Sequence, residues 1–231
     1  MPLHSLLLVP ILAAGAVPTL VAGELEQARD RQDRSTLVRM IEERRQAAGA
    51  KPNDAAAHYD LALALSYLAE VAQEQGDKPQ VREAAQAGVR AAERAVNIDS
   101  RSAEYQRILG TLCGQLIPAD LLLALSYGRR ARDSLERAVE LDPQSPRAWV
   151  SHGVGNYYLP EAFGGGMNAA IADFRKAVDL DPKVAEAHLW LGVALRKQGL
   201  IAEARKSLET AVALNPNRVW ARQQLEKTPA K

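Results

Sequence analysis

Four histidines, one cysteine, a run of three glycines and a scatter of serines are the residues of this chain whose types could carry chemistry. A metal site on helices needs ligands three or four residues apart, and no two of His4, His58, His152 and His188 stand so. His58 and His188 instead take the same place in a repeat, and His152 sits beside the small residue Gly153, so all three read as packing positions. Cys113 lies among Leu109, Leu112 and Leu116 with no neighbouring His or Lys to lower its pKa, which fits a buried thiol better than a nucleophile. As the only cysteine it can form no intrachain disulfide. Ser126, Ser134 and Ser207 lack a nucleophile-elbow context. Gly164-Gly165-Gly166 could aim backbone N–H groups at an anion near a helix starting at Met167 or Asn168. No Lys-Ser or Lys-Thr follows, as phosphate-loop chemistry needs, so helix-breaking geometry is the preferred reading. No catalytic residue, metal ligand or cofactor is expected.

The elements that position these residues recur. Fifteen residues separate Ala95 from Gly110, Ala138 from Gly153 and Ala177 from Gly192, each time through a turn (Ile98-Asp99-Ser100, Leu141-Asp142-Pro143, Leu180-Asp181-Pro182). A small residue at a fixed place on successive helices lets two backbones approach, so the period predicts an all-α array of stacked helix pairs. The small triads are Ala62/Gly88/Ala95, Gly110/Ala131/Ala138, Gly153/Ala170/Ala177 and Gly192/Ala204/Ala211, with Leu135, Phe174 and Leu208 as the large residues between. Within the pairs the spacing falls from 26 residues (Ala62 to Gly88) to 21, 17 and 12 (Gly192 to Ala204). All inserted residues therefore lie on one edge, which should protrude and taper. In the first pair the extra length continues helically on both sides of Gly76-Asp77-Lys78-Pro79, about two turns per helix. In the second it is the apolar run Leu116 to Leu125, where Pro118 should stop one helix and Asp120 cap the next. That run reads as packing against the long first hairpin, the alternative being an exposed patch for a partner or membrane.

The last unit, Ala185 to Asn217, carries Leu191-Gly192, then Gln198-Gly199, Ala204, Leu208, Ala211 and Pro216, and resembles the tetratricopeptide repeat. The resemblance implies a right-handed α-solenoid with a concave binding face. Its divisions are 24–52, helices of an N-terminal half-repeat; 53–100, 101–143, 144–182 and 183–216, four repeats; and 217–231, a capping helix. The segment Tyr157 to Gly166 with its repeats also resembles exported bacterial proteins of this type, including the T-component proteins of TRAP-type solute transporters.

Residues 1–23 carry no Lys, Arg, Asp or Glu and include the apolar run Leu6 to Ala14, so they read as an export signal cut after Gly23, or as an uncleaved membrane anchor. Export to the periplasm is the expected location. The 29 basic and 28 acidic residues nearly cancel, which provides no field for nucleic acid. Arg129, Arg130, Arg132 and Arg137 alternate with Asp133, Glu136 and Glu140 as surface ion pairs do.

Helix-A residues opposite the small positions should line the concave wall: Tyr59, Leu63 and Tyr67; Arg107, Thr111 and Gln115; Val150, Val154 and Tyr157; Leu189, Val193 and Arg196. Their aromatic, apolar and polar mix suits a peptide or amphipathic segment of another envelope protein. Modules of this family that clamp chaperone tails use Lys and Asn where Tyr59 and Leu63 stand, so that ligand is disfavoured. The rival expectation is a small-ligand or transporter-accessory protein, suggested by the glycine loop and apolar walls.

Overall fold

Five of the described helices begin where an acid or serine catches their first free N–H groups. Asp54 accepts from Ala56 and Ala57, Ser102 from Tyr105, Ser145 from Ala148, and Asp33 and Asp77 do the same for Thr36 and Gln80. The computed structural model describes residues 18–117 and 121–229. Pro118, Asp120 and most of the expected export signal lie outside the described residues. The described helices are α1 (Pro18–Asp30), α2 (Arg34–Ala50), α3 (Ala55–Glu74), α4 (Lys78–Ile98), α5 (Ala103–Leu116), α6 (Leu121–Leu141), α7 (Pro146–Tyr158), α8 (Met167–Leu180), α9 (Ala185–Lys197), α10 (Ile201–Leu214) and α11 (Val219–Glu226). Among the described residues no helix is long and apolar enough to cross a membrane.

Consecutive helices pack as hairpins, and the odd-numbered helices α1, α3, α5, α7 and α9 line up side by side as the inner layer. The fold is thus an all-α tetratricopeptide-type solenoid of five hairpins with α11 at its end. Helix α1, which passes through the expected cut at Gly23, completes a hairpin with α2.

The crossings inside the last three full hairpins rest on absent side chains. A Cβ at Gly110 would lie 2.6 Å from Leu135 Cγ, one at Gly153 2.6 Å from Phe174 Cε1, and one at Gly192 2.6 Å from Leu208 Cγ and 2.9 Å from the Ala204 carbonyl. The large residue of each unit fills the space its glycine vacates, and Phe174 and Leu208 are fully buried. Gly88 differs: its missing Cβ makes room for Leu112 of the following hairpin.

A second repeating device sits at the turns. His58 bonds the Pro52 carbonyl at 3.0 Å, Gln106 the Ser100 carbonyl at 3.3 Å, Trp149 the Pro143 carbonyl at 2.9 Å and His188 the Pro182 carbonyl at 2.9 Å; Arg222 reaches the Pro216 carbonyl likewise. A donor six residues past each turn carbonyl ties α3, α5, α7, α9 and α11 to the turn that starts each. His58 and His188 thus serve as turn ties.

The inserted residues are spent differently in each unit. Helices α3 and α4 run 20 and 21 residues against 13 and 14 in α9 and α10, so each gains seven. In the next hairpin only α6 is lengthened, to 21 residues, and in the third the extra residues form the 3₁₀ turn Glu161–Phe163 and its glycines. The α3 extension is not a free edge. Leu68, Ala69, Val71 and Ala72 on it are buried, and its carboxylates cross to the other end of the array.

Most of the buried apolar side chains described fall into one large cluster drawn from α1 to α6 and three smaller ones drawn from α7 to α11. Among the described residues, no buried side chain belongs to both sets. Leu135 of α6 lies against Gly155 of α7 at the seam of the two sets, and the described contacts that cross the concave side are polar.

Candidate functional site

The twelve wall residues lie on α3, α5, α7 and α9, and none of them is exposed; Val150, Leu189 and Val193 sit in buried apolar clusters with residues of α8 and α10. Tyr67, Arg107, Val150, Leu189 and Val193 are buried, and Tyr59, Leu63, Thr111, Gln115, Val154, Tyr157 and Arg196 are half-buried. Polar members are tied along the wall through shared neighbours. Tyr59 donates its hydroxyl to Glu104 at 2.9 Å, Arg107 holds the same carboxylate at 2.7 and 2.8 Å, and Arg107 and Thr111 both reach Ser151. Gln115 donates to the Ser66 carbonyl at 3.1 Å. Burial works against the ionised Glu104, but the charge and hydrogen bonds of Arg107 outweigh it and hold its pKa at about 2. Desolvation, helped by Glu104, pushes the Tyr59 phenol well above its usual range.

At the far end, Tyr157 and Trp190 pack edge to face with ring centres 5.8 Å apart, and Lys197 stands 4.3 Å over the Tyr157 ring. Arg196 is spent on the C-terminus. It donates to the Gln224 carbonyl at 2.9 Å, to the Gln224 side chain at 2.6 Å and to the Thr228 hydroxyl at 3.0 Å, so it anchors the α11 segment.

The wall is shut by contacts that the spacing of the sequence does not announce. Arg218, between α10 and α11, is 1% exposed and reaches across the concave side into four carboxylates. Its guanidinium lies 2.5 Å from both Glu70 and Glu74 on the α3 extension, 2.9 Å from Glu186 on α9 and 3.8 Å from Asp30 on α1. Arg29 adds a second guanidinium, 2.7 Å from Asp30 and 3.3 Å from Glu186, while stacking 4.9 Å over the Tyr67 ring. Asn215 donates to Asp30 and Gln32 to Glu74, each at about 2.7 to 2.8 Å. A looser strut joins Arg147 on α7 to Glu26 on α1 at 2.8 Å.

This clasp is electrostatically uneven, since four acids face two arginines. Desolvation first, then the neighbouring charges of Glu186 and Glu74, push the Glu70 carboxyl up to about 7 despite Arg218 and Arg29. The same burial acts on Glu186, but there Arg218 and Arg29 win and its pKa falls below the usual range. Two signals for the clasp exist in the sequence. Arg218 stands at an N-cap position, where Asp54, Ser102 and Ser145 cap earlier helices, yet makes no cap bond. Glu70 and Glu74 stand one turn apart on the insertion.

The other chemical candidates are absorbed by structure. Cys113 is buried and desolvation pushes its thiol up to about 11. His152 Nδ1 lies 2.8 Å from buried Asp173, which also accepts from Asn156 at 2.7 Å, tying α7 to α8. The glycine N–H groups turn inward, Gly164 to Glu161, Gly165 to Pro160 and Gly166 to Asn156. Gly166 needs its φ of 105° to start α8. Among the described residues no three His, Cys, Asp or Glu side chains are placed to hold a metal ion.

With this geometry in view, comparison with known proteins gives the following. The model of a family described as Regulator of microtubule dynamics protein 1-3 matches residues 21–161, and a Tetratricopeptide repeat model matches residues 164–219. Among curated proteins none matches the sequence. The chain is similar in structure to a thermophilic TPR protein of Thermus thermophilus, at TM-score 0.64 and 16% identity over 90% of this chain and 98% of that one. It is also similar to the HusA haemophore of Porphyromonas gingivalis, at TM-score 0.61 and 16% identity over 81% of this chain and 96% of that one. The likeness to transporter T-component proteins draws no support from these matches. The chain belongs to the regulator of microtubule dynamics protein 1-3 family and is built of tetratricopeptide repeats.

Proposed function

We propose that this member of the family is an adaptor that takes a peptide or a segment of another protein into the concave channel between its two halves, and that it does so outside the cytoplasm. The observation that carries the reading is the nature of the channel's closure. Each half keeps an apolar core of its own, while the contacts across the channel are hydrogen bonds and ion pairs. Polar contacts can be exchanged for a partner's polar groups or for water, whereas a fused apolar core could not open without exposing it. Tyr59, Thr111 and Tyr157 are the half-buried positions best placed to meet a partner, each from a different inner helix. Arg196 is excluded from that set by its duty to the C-terminus.

The extracytoplasmic location rests on the uncharged, apolar residues 1–23. The family's name attaches regulation of microtubule dynamics to proteins 1-3. A photo-crosslinking amino acid placed at Tyr59, Thr111 and Tyr157 in turn, in cells, with mass spectrometry of the adducts and fractionation of the cells, tests both parts. One partner found from all three positions and lost in the combined Tyr59→Ala, Thr111→Glu, Tyr157→Ala chain is the expected result. Retention of that partner by the combined variant would overturn the channel as its site, and a cytoskeletal adduct in the cytoplasmic fraction would overturn the location.

A further inference from the structure

We propose that the Arg218 clasp is an autoinhibitory latch: it holds the last hairpin of the array against the first two, and the partner channel opens when Arg218 leaves its four carboxylates. The inference rests on the channel being the partner site. It goes beyond that reading by assigning the closed structure to a resting state and by naming the side chain that keeps it closed.

Three observations converge on the latch. The contacts span the whole array, linking residues 144 to 148 positions apart in sequence through one buried guanidinium. They join two groups of buried apolar side chains that share no member, and do so through charged and polar groups. And the acidic side of the clasp is carried by the α3 extension, the seven residues that the last hairpin lacks. Without the extension, Glu70 and Glu74 would not exist to meet Arg218. An insertion that lengthens one inner helix by two turns has here become the catch of the array.

Glu70 gives the latch a sensitivity to pH whose sign is the reverse of ordinary acid disruption. The groups around it are Arg29 and Asp30 from α1, Glu74 from its own helix, Glu186 from α9 and Arg218 from the segment before α11. With two acids in excess, a proton on Glu70 relieves repulsion in the closed form. Its carboxyl is pushed up to about 7, so its contribution to closure is full below the ordinary carboxylate range and is lost as pH rises through about 7. Glu186 works the other way: its lowered pKa gives a contribution that is present at neutral pH and lost as pH falls below the ordinary carboxylate range. Closure is firmest at mildly acidic pH, slackens as pH rises toward neutrality and levels off above it.

The test places nitroxide labels on exposed positions flanking the clasp, Arg31→Cys and Asn217→Cys, in the full chain, with buried Cys113 left native. Paramagnetic resonance at pH 6 should show strong dipolar broadening, and Arg218→Gln should remove it, moving the labels apart by roughly one helix layer, 8–10 Å. Arg218→Lys, which keeps the charge without the fork, should give an intermediate spectrum. Broadening unchanged in Arg218→Gln at unchanged helix content would overturn the latch. If Arg218→Gln does not fold, the labelled parent chain titrated from pH 6 to 8.5 decides: broadening should fall as pH rises and stay constant in Glu70→Gln. Constant broadening in the parent, or a fall that persists in Glu70→Gln, would overturn it instead. No partner is present in these measurements, so failure of the latch is read separately from failure of the channel as a binding site.

Discussion

Gly192 and Arg218 both belong to the end of the array, and they hold it together by opposite means. At Gly192 two helices approach because a side chain is missing, and fully buried Leu208 fills the space. At Arg218 two distant parts of the chain meet because a side chain is present, equally buried, and surrounded by charge. The first contact is apolar, short in sequence and repeated at Gly110 and Gly153. The second is polar and spans most of the chain. Shape complementarity builds each hairpin, and electrostatics decides how the stack of hairpins closes.

The contrast can be broken at either end, and the largest effects belong to the apolar side. Phe174→Ala removes a fully buried ring from the crossing at Gly153 and should cost about 3–5 kcal/mol in urea unfolding. Gly192→Val must push against the Ala204 carbonyl as well as Leu208, and overpacking of this kind costs about 1–3 kcal/mol in the same measurement. Arg218→Gln would cost about 3–5 kcal/mol if the carboxylates stayed buried without it. Because the clasp can open to water, the global loss should stay below about 2 kcal/mol, with rapid amide exchange along the inner faces of α3 and α9. A loss as large as that of Phe174→Ala would erase the distinction between the two regions.

The pH effect is smaller still. Glu70→Gln should flatten the change in stability between pH 6 and 8 while leaving the acid limb, set partly by Glu104 and Glu186, in place. Thermal unfolding across that range checks it. The smallest change is His188→Ala, which gives up one hydrogen bond to the Pro182 carbonyl and should cost about 0.5–1.5 kcal/mol, and the same holds for His58→Ala at Pro52.

What was legible in the sequence follows the same division. The 15-residue interval and the glycines opposite Leu135, Phe174 and Leu208 identify the hairpins, because crossing geometry is set by residues close in sequence. The shrinking insertions are equally readable: the seven extra residues in each of α3 and α4 account for the longest of them. The shared position of His58 and His188 was visible, but its bond to a turn carbonyl was not, since the donors Gln106 and Trp149 that complete the series differ in type. Helical periodicity selects the twelve wall residues on α3, α5, α7 and α9. It says nothing of what lies opposite them, because the curvature that brings α9 and Arg218 to α1 and α3 accumulates over the whole stack. Arg196 shows the limit: its place on the wall follows from the repeat, but its partners Gln224 and Thr228 come from beyond the last one.

Small-angle X-ray scattering of the full chain and of Arg218→Gln, at pH 6 and matched helix content, tests most directly whether one polar clasp closes the array. A larger radius of gyration and a longer maximum dimension in Arg218→Gln are the expected result. Superimposable curves would mean that the halves stay together without the clasp, and would contradict the account.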